Sequence, residues 1–131
     1  MIPSPSQSLP IKGVRKMIAR KMMESLATTA QLSFSARIDA SHLVATRKGW
    51  KAAGVDAGFE DLLLAVIRDT LLDHPQFNAT ATTDTLQIYE SICVSVAMAV
   101  GDTLVAPALP DLRGLSIPEI VTTRRALLQR A

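Results

Sequence analysis

The chain has 131 residues, enough for one domain with a core of its own and too few for two ordinary ones. Apolar residues make up 48%, which excludes a disordered composition, while aromatics at 4% leave little for a stacking platform that would hold single-stranded nucleic acid. The net charge of +2 is divided into blocks: nine bases precede residue 59, whereas residues 59–111 hold eight acids and one base, Arg68.

Residues 1–12, with Pro3, Pro5 and Pro10 among serines, are expected to form an extended arm. Val14, Met17, Ile18, Met22 and Leu26 then recur at helical spacing, with Arg15, Lys16, Arg20 and Lys21 between them, so a first helix is expected to pack through Met17, Ile18 and Met22. Residues 31–39 alternate Leu32, Phe34, Ala36 and Ile38 against polar neighbours, the pattern of a half-buried strand. Ser41 is the expected N-cap of a second helix that ends near Gly54.

The run from Phe59 to Pro75 is apolar on most sides between Leu62 and Ile67, which predicts the most buried helix of the chain over Leu62–Leu72. Two strands follow, at 83–90 and 91–100; the second turns at Gly101 and Asp102 into a third that includes Pro107. Ser116, with Glu119 three residues on and Pro118 between them, predicts a capped final helix. The order α, β, α, α, strands, α indicates an α/β protein of the α+β type, a two-layer sandwich without regular βαβ alternation.

Cys93 is the only cysteine, so no internal disulfide is possible and a reducing, cytoplasmic setting is expected. The first residues lack a signal-peptide core, and no segment approaches the length of a membrane span. His42 and His74 sit in no metal-ligand spacing, and a histidine bonded locally at a helix end accounts for each. No nucleophile elbow surrounds Ser95 and no Gly-rich phosphate loop is present, so no catalytic or metal site is read from the residues themselves. The basic run at 12–21 has three readings: a solvated helix face, a polyanion grip, or a small phosphate site at a helix N-terminus.

Four stretches together resemble the catalytic domain of the dihydrolipoyl acyltransferases, the core component of 2-oxo acid dehydrogenase complexes. RKMIARKMMES (Arg15–Ser25) resembles the opening helix of that family, RKxIAxxMxxS. LSFSARIDASHLVATRK (Leu32–Lys48) is similar to its first strand and next helix, and FEDLLLAVIRDTLLDHPQFNA (Phe59–Ala79) to its buried helix closing on HPxxNA. SVAMAVGDTLVAPAL (Ser95–Leu109) resembles its paired strands, and LRGLSIPEI the entry to the helix after them.

The resemblance implies a chloramphenicol-acetyltransferase-like fold, a mixed sheet packed with helices, assembled as trimers. It also implies acyl transfer between coenzyme A (or acyl-CoA) and a lipoyl group carried by a partner domain, without a metal. The family base is the histidine of an HxxxDG motif near the C-terminus of the domain, and an upstream serine or threonine donates to the oxyanion. Neither His42 nor His74 is followed by Asp-Gly, so no catalytic residue is assigned, and residues 13–131 are expected to be the N-terminal half of the domain. Other departures are Ala30-Gln31 in place of Pro-His and Gly101-Asp102-Thr103 in place of Pro-Asp-Gly.

The resemblance offers Arg15 and Lys16 as contacts to the coenzyme A phosphates. The expected partners are further copies of the chain, as a trimer, or a chain that supplies the catalytic half; neither nucleic acid nor a membrane is expected. Such a chain would be inactive alone in acyl transfer, and the alternative is a non-catalytic binding or assembly module derived from that family.

Overall fold

The structure is a computed structural model and describes residues 6–101 and 103–130. Contacts divide the chain into two compact units, Met1–Ile38 and Asp39–Ala131.

In the first unit, residues 7–12 are exposed and form no helix or strand; Pro3 and Pro5 of the expected arm lie outside the described residues. Helix α1 spans Gly13–Thr28 and opens on Gly13 at φ +58°, a left-handed turn that glycine adopts without a Cβ clash. The periodicity that predicted it is real, but α1 buries none of its residues, so the expected packing of Met17, Ile18 and Met22 is absent. An apolar stripe needs a second apolar surface, and among the described residues this unit contains no other helix or strand. The strand expected at 31–39 is likewise unpaired, with Phe34 90% exposed and Ile38 84%. Alternation sets which side chains share a face; a ladder also requires a neighbouring backbone.

The second unit carries α2 (Ser41–Ala52), α3 (Phe59–Asp73) and α4 (Ile117–Leu128). The N-cap of α2 is Ala40 rather than the expected Ser41: the Asp39 carboxylate accepts from the Ser41 N–H at 2.8 Å and from its hydroxyl at 2.6 Å. An ionised acceptor outcompetes a hydroxyl at a helix N-terminus. Gly54, at φ +82°, turns the chain out of α2 as expected. Helix α3 stops at Asp73, and Pro75 opens a single 3-10 turn, Pro75–Phe77. At the start of α4, Glu119 accepts from the Ser116 N–H at 2.7 Å and also takes the serine hydroxyl at 2.6 Å. The acid half of the expected capping box is therefore formed, and the hydroxyl serves the carboxylate.

The strands are shorter than their sequence pattern suggests, and among the described residues they make two hairpins rather than one mixed sheet. Strand β1 (Ala79–Ala81), which its composition did not reveal, pairs antiparallel with β2 (Leu86–Ile88), Ala79 opposite Ile88. The Asn78 side chain secures the base of this hairpin by donating to the carbonyls of Tyr89 (2.7 Å) and Ser91 (3.0 Å). Strand β3 (Met98–Val100) pairs antiparallel with β4 (Thr103–Val105) through the turn at Gly101, φ +57°. The expected turn residue Asp102 lies outside the described residues. Beyond this hairpin the ladder thins to a bridge between Ser95 and Ala108 and single bonds such as Leu109 N–H to Val94 O at 2.9 Å. Pro107 has no N–H to give at that point.

Ile92 and, in part, Val94, Val96 and Met98 face inward, while Cys93, Ser95, Ala97 and Ala99 face out, so the alternation is realised even where the ladder is not. The main core packs Leu64 and Ala65 of α3 and Ile120 of α4 onto Ile92, Leu109 and Leu112. A second cluster joins Ala57, Leu62 and Val121, flanked by Leu43 and Trp50 of α2. As predicted, α3 has the most buried residues of any described helix; its other side, with Leu63, Val66 and Ile67, is exposed.

Candidate functional site

The bases singled out in the sequence lie on α1. Lys12 precedes the helix in extended conformation with no side-chain cap, and the first turn contains no acid. Its N–H groups therefore combine with exposed Arg15 and Lys16 to make a positive end. Consecutive helical residues project about 100° apart, so Arg15 and Lys16 do not converge on one point. Lys16 instead shares a flank with Arg20, and a shallow concavity there is lined by Lys16, Met17, Arg20, Met23 and Glu24 without Arg15. Lys21 is paired with Glu24 at 3.0 Å; among the described residues Arg15, Lys16 and Arg20 make no ion pair.

The histidines do not assemble a site. His42 is exposed in the first turn of α2, and His74 caps α3 with its ring edge-on to Phe77, centroids 6.3 Å apart. Among the described residues no three His, Cys, Asp or Glu side chains gather in a way that holds a metal. No described helix is long and apolar enough to cross a membrane.

The charged constellation that the structure does assemble is positional, and nothing in the sequence reading anticipated it. Asp61, fully buried at the third position of α3, accepts from the Gly58 N–H at 2.8 Å. It also accepts from Arg124 Nε at 2.5 Å and Nη2 at 3.1 Å, while Arg124 Nη1 reaches Glu60 at 2.9 Å. A Cβ on Gly58 would stand 3.3 Å from the Asp61 carboxylate and 3.6 Å from Arg124, which explains why glycine fits beside this pair. The Asp61 bonds hold the Arg124 guanidinium above its ordinary pKa. Arg125 adds a bond to the Asp56 carboxylate at 2.9 Å, and Arg68 bonds the Leu115 carbonyl. One signal was legible: Asp61, three residues after Gly58 and directly before an apolar run, needs a partner once buried. Its partner lies 63 positions away and has no local signature.

Asp111 performs a similar task at the strand side. It accepts from the backbone N–H of Ile92 at 2.9 Å and from Arg113 Nε at 2.8 Å, fastening the loop that carries Leu112 into the core. Arg113 first, and then the Ile92 N–H, hold its carboxyl down at about 2 from the usual 3.8. A depressed carboxyl pKa stabilises the fold above the unfolded value, and that contribution is lost as pH falls through the folded one. The melting temperature is therefore expected to drop between about pH 4 and pH 2. Asp111→Asn should lower stability at neutral pH and flatten that part of the acid profile, read by circular dichroism melts. Asp39 and Glu119, lowered by their bonds to Ser41 and Ser116, act with the same sign.

The chain matches the family described as 2-oxoacid dehydrogenases acyltransferase (catalytic domain) over residues 3–131. It is 30% identical over 125 residues to the dihydrolipoyllysine-residue acetyltransferase component of the pyruvate dehydrogenase complex of Mycobacterium bovis, covering 90% of this chain and 23% of that protein. With the dihydrolipoyllysine-residue succinyltransferase component of the 2-oxoglutarate dehydrogenase complex of Haemophilus influenzae it shares 27% over 127 residues, 93% of this chain and 31% of the relative. Among solved structures, a probable dihydrolipoamide acetyltransferase from Listeria monocytogenes superposes with a TM-score of 0.83 at 27% identity, over 95% of this chain and 56% of that one. A truncated catalytic core of the 2-oxoacid dehydrogenase multienzyme complex from Thermoplasma acidophilum gives 0.82 at 19% identity, over 95% of this chain and 59% of that one, a likeness of fold alone. The chain thus spans under a third of the curated relatives above and just over half of these solved catalytic cores. The expected chloramphenicol-acetyltransferase-like architecture is met at the level of the chain trace, and the chain belongs to the 2-oxoacid dehydrogenase acyltransferase family.

Proposed function

We propose that this chain serves acyl exchange between coenzyme A and a dihydrolipoyl thiol as a part of the acyltransferase fold that does not itself hold the base. The observation that carries this reading is a family match over residues 3–131 that contains neither an HxxxDG histidine nor a second candidate for it. Its contribution is then to bind and to frame: Arg15 and Lys16 meet the phosphates of coenzyme A, and a lipoyl group arrives on a partner domain. The base and the oxyanion donor come from residues outside these 131. The relatives act as acetyl- and succinyltransferases by name, so the acyl group stays open at the level of a short acyl thioester.

Further copies of the chain, as a trimer, or a polypeptide bearing the catalytic half complete the site in this reading, and the setting is cytoplasmic, in keeping with the single Cys93. Nucleic acid and membrane are not partners in it. The exposed apolar alternation of Leu32, Phe34 and Ile38 favours a second reading, a binding or assembly module without chemistry.

Transfer of acetyl groups from acetyl-CoA to dihydrolipoamide by the purified chain tests the proposal. An oxyanion donor contributes about 10²–10³ in rate and a general base about 10²–10⁴, so transfer is expected to stay at the uncatalysed rate. Turnover that His42→Ala or His74→Ala abolishes would overturn the reading, because one of those histidines would then be the base.

A further inference from the structure

We infer that residues 29–38 are a protease-sensitive tether, cut by a trypsin-class protease after Arg37, and that Asp39–Ala131 persists as a folded unit without what precedes it. From residue 30 to residue 40 every side chain is exposed and no helix or strand is present. No backbone N–H in that stretch donates to a backbone carbonyl. A protease needs about this: several residues of extended, unpaired backbone that fit its cleft without local unfolding. Arg37 lies within the segment, and the boundary between the two units falls one residue later, after Ile38.

The chemistry is the addition of water across the Arg37–Ile38 peptide bond by the protease, leaving a carboxylate on Arg37 and an amine on Ile38. Among the described residues the cut removes nothing from the core, since every buried one, from Ala57 to Val121, belongs to the second unit. Upstream, α1 has 16 residues and buries none of them, close to the ~12–15 residues below which an unpacked helix is marginal in water. Lys12, Arg15, Lys16, Arg20 and Lys21 are therefore open to cleavage as well. Downstream the next bases, Arg47, Lys48 and Lys51, lie in α2, which packs through Leu43 and Trp50. Arg124, held by Asp61 and Glu60, is protected in α4. Digestion should run down the first unit and halt at Ile38.

Limited trypsin digestion of the full chain, followed over time by intact mass and N-terminal sequencing, tests this. A long-lived product that begins Ile38-Asp39-Ala40-Ser41 and still melts cooperatively is the expected result. In Arg37→Gln the same digestion should yield a product that begins at Met22, after the next base upstream, with α2 still uncut. Persistence of a wild-type species that begins before Ile38 would show the tether to be packed, and rapid loss of all species, or cleavage within α2, would show that Asp39–Ala131 does not stand alone. Any of these overturns the inference.

Discussion

Arg124→Ala is expected to destabilise the Asp39–Ala131 unit by about 3–5 kcal/mol, because it strands a buried carboxylate. Asp61 has no contact with solvent, and of its three bonds two come from the guanidinium that the substitution removes. What remains is the Gly58 N–H, too little to hold an ionised group out of water. A domain of this size is stable by roughly 5–15 kcal/mol, so the loss takes a large share of the total. Urea unfolding reads it as a fall in midpoint at unchanged slope. Arg125→Ala is the control: its pair with Asp56 is half exposed or more on both sides, and such pairs contribute about 0–1 kcal/mol. Equal losses in the two variants would mean that the Asp61 pair is not the buried anchor of α3 and α4. Replacing Asp61 and Arg124 together by apolar residues of similar volume should recover most of the loss, since the cost lies in leaving one charge alone.

Leu112→Ala should cost about 2–5 kcal/mol, the range for removing a fully enclosed leucine side chain whose surroundings cannot close over the gap. Leu112 is completely buried in the cluster of Leu64, Ala65, Ile92, Leu109 and Ile120, and its N–H donates to the Ile92 carbonyl at 2.9 Å. That bond and the Asp111 bond to the Ile92 N–H hold the loop in place, which limits relaxation into the cavity. Leu63→Ala, on the open side of α3 where the leucine is 45% exposed, should shift the melting temperature little. A cost for Leu63→Ala equal to that for Leu112→Ala would mean that the wrong side of α3 has been taken as the inside.

Much of the local structure was legible because its causes are local. The helices follow from apolar spacing and from punctuation such as Gly54, Pro75 and the Ser116–Glu119 pair, all of which act within a turn or two. The turn at Gly101 is legible for the same reason. The cap of α2 falls one residue earlier than expected, at Ala40, because the Asp39 carboxylate engages both the amide and the hydroxyl of Ser41, a choice that only geometry decides. At the candidate site, the sequence by itself determined that Arg15 and Lys16 would open a helix with no acid in its first turn, and that His42 and His74 lack the motif of a base.

Tertiary structure alone decided the rest. Alternation at Leu32–Ile38 assigns faces, but pairing is a relation between two backbones, and the structure leaves that segment without one. The apolar face of α1 is exposed and that of α3 is half covered, because burial depends on what else folds nearby and not on periodicity. The Asp61–Arg124 pair closes over 63 positions, a distance at which no propensity or spacing rule acts, and only the docking of α4 on α3 brings the two charges together out of water.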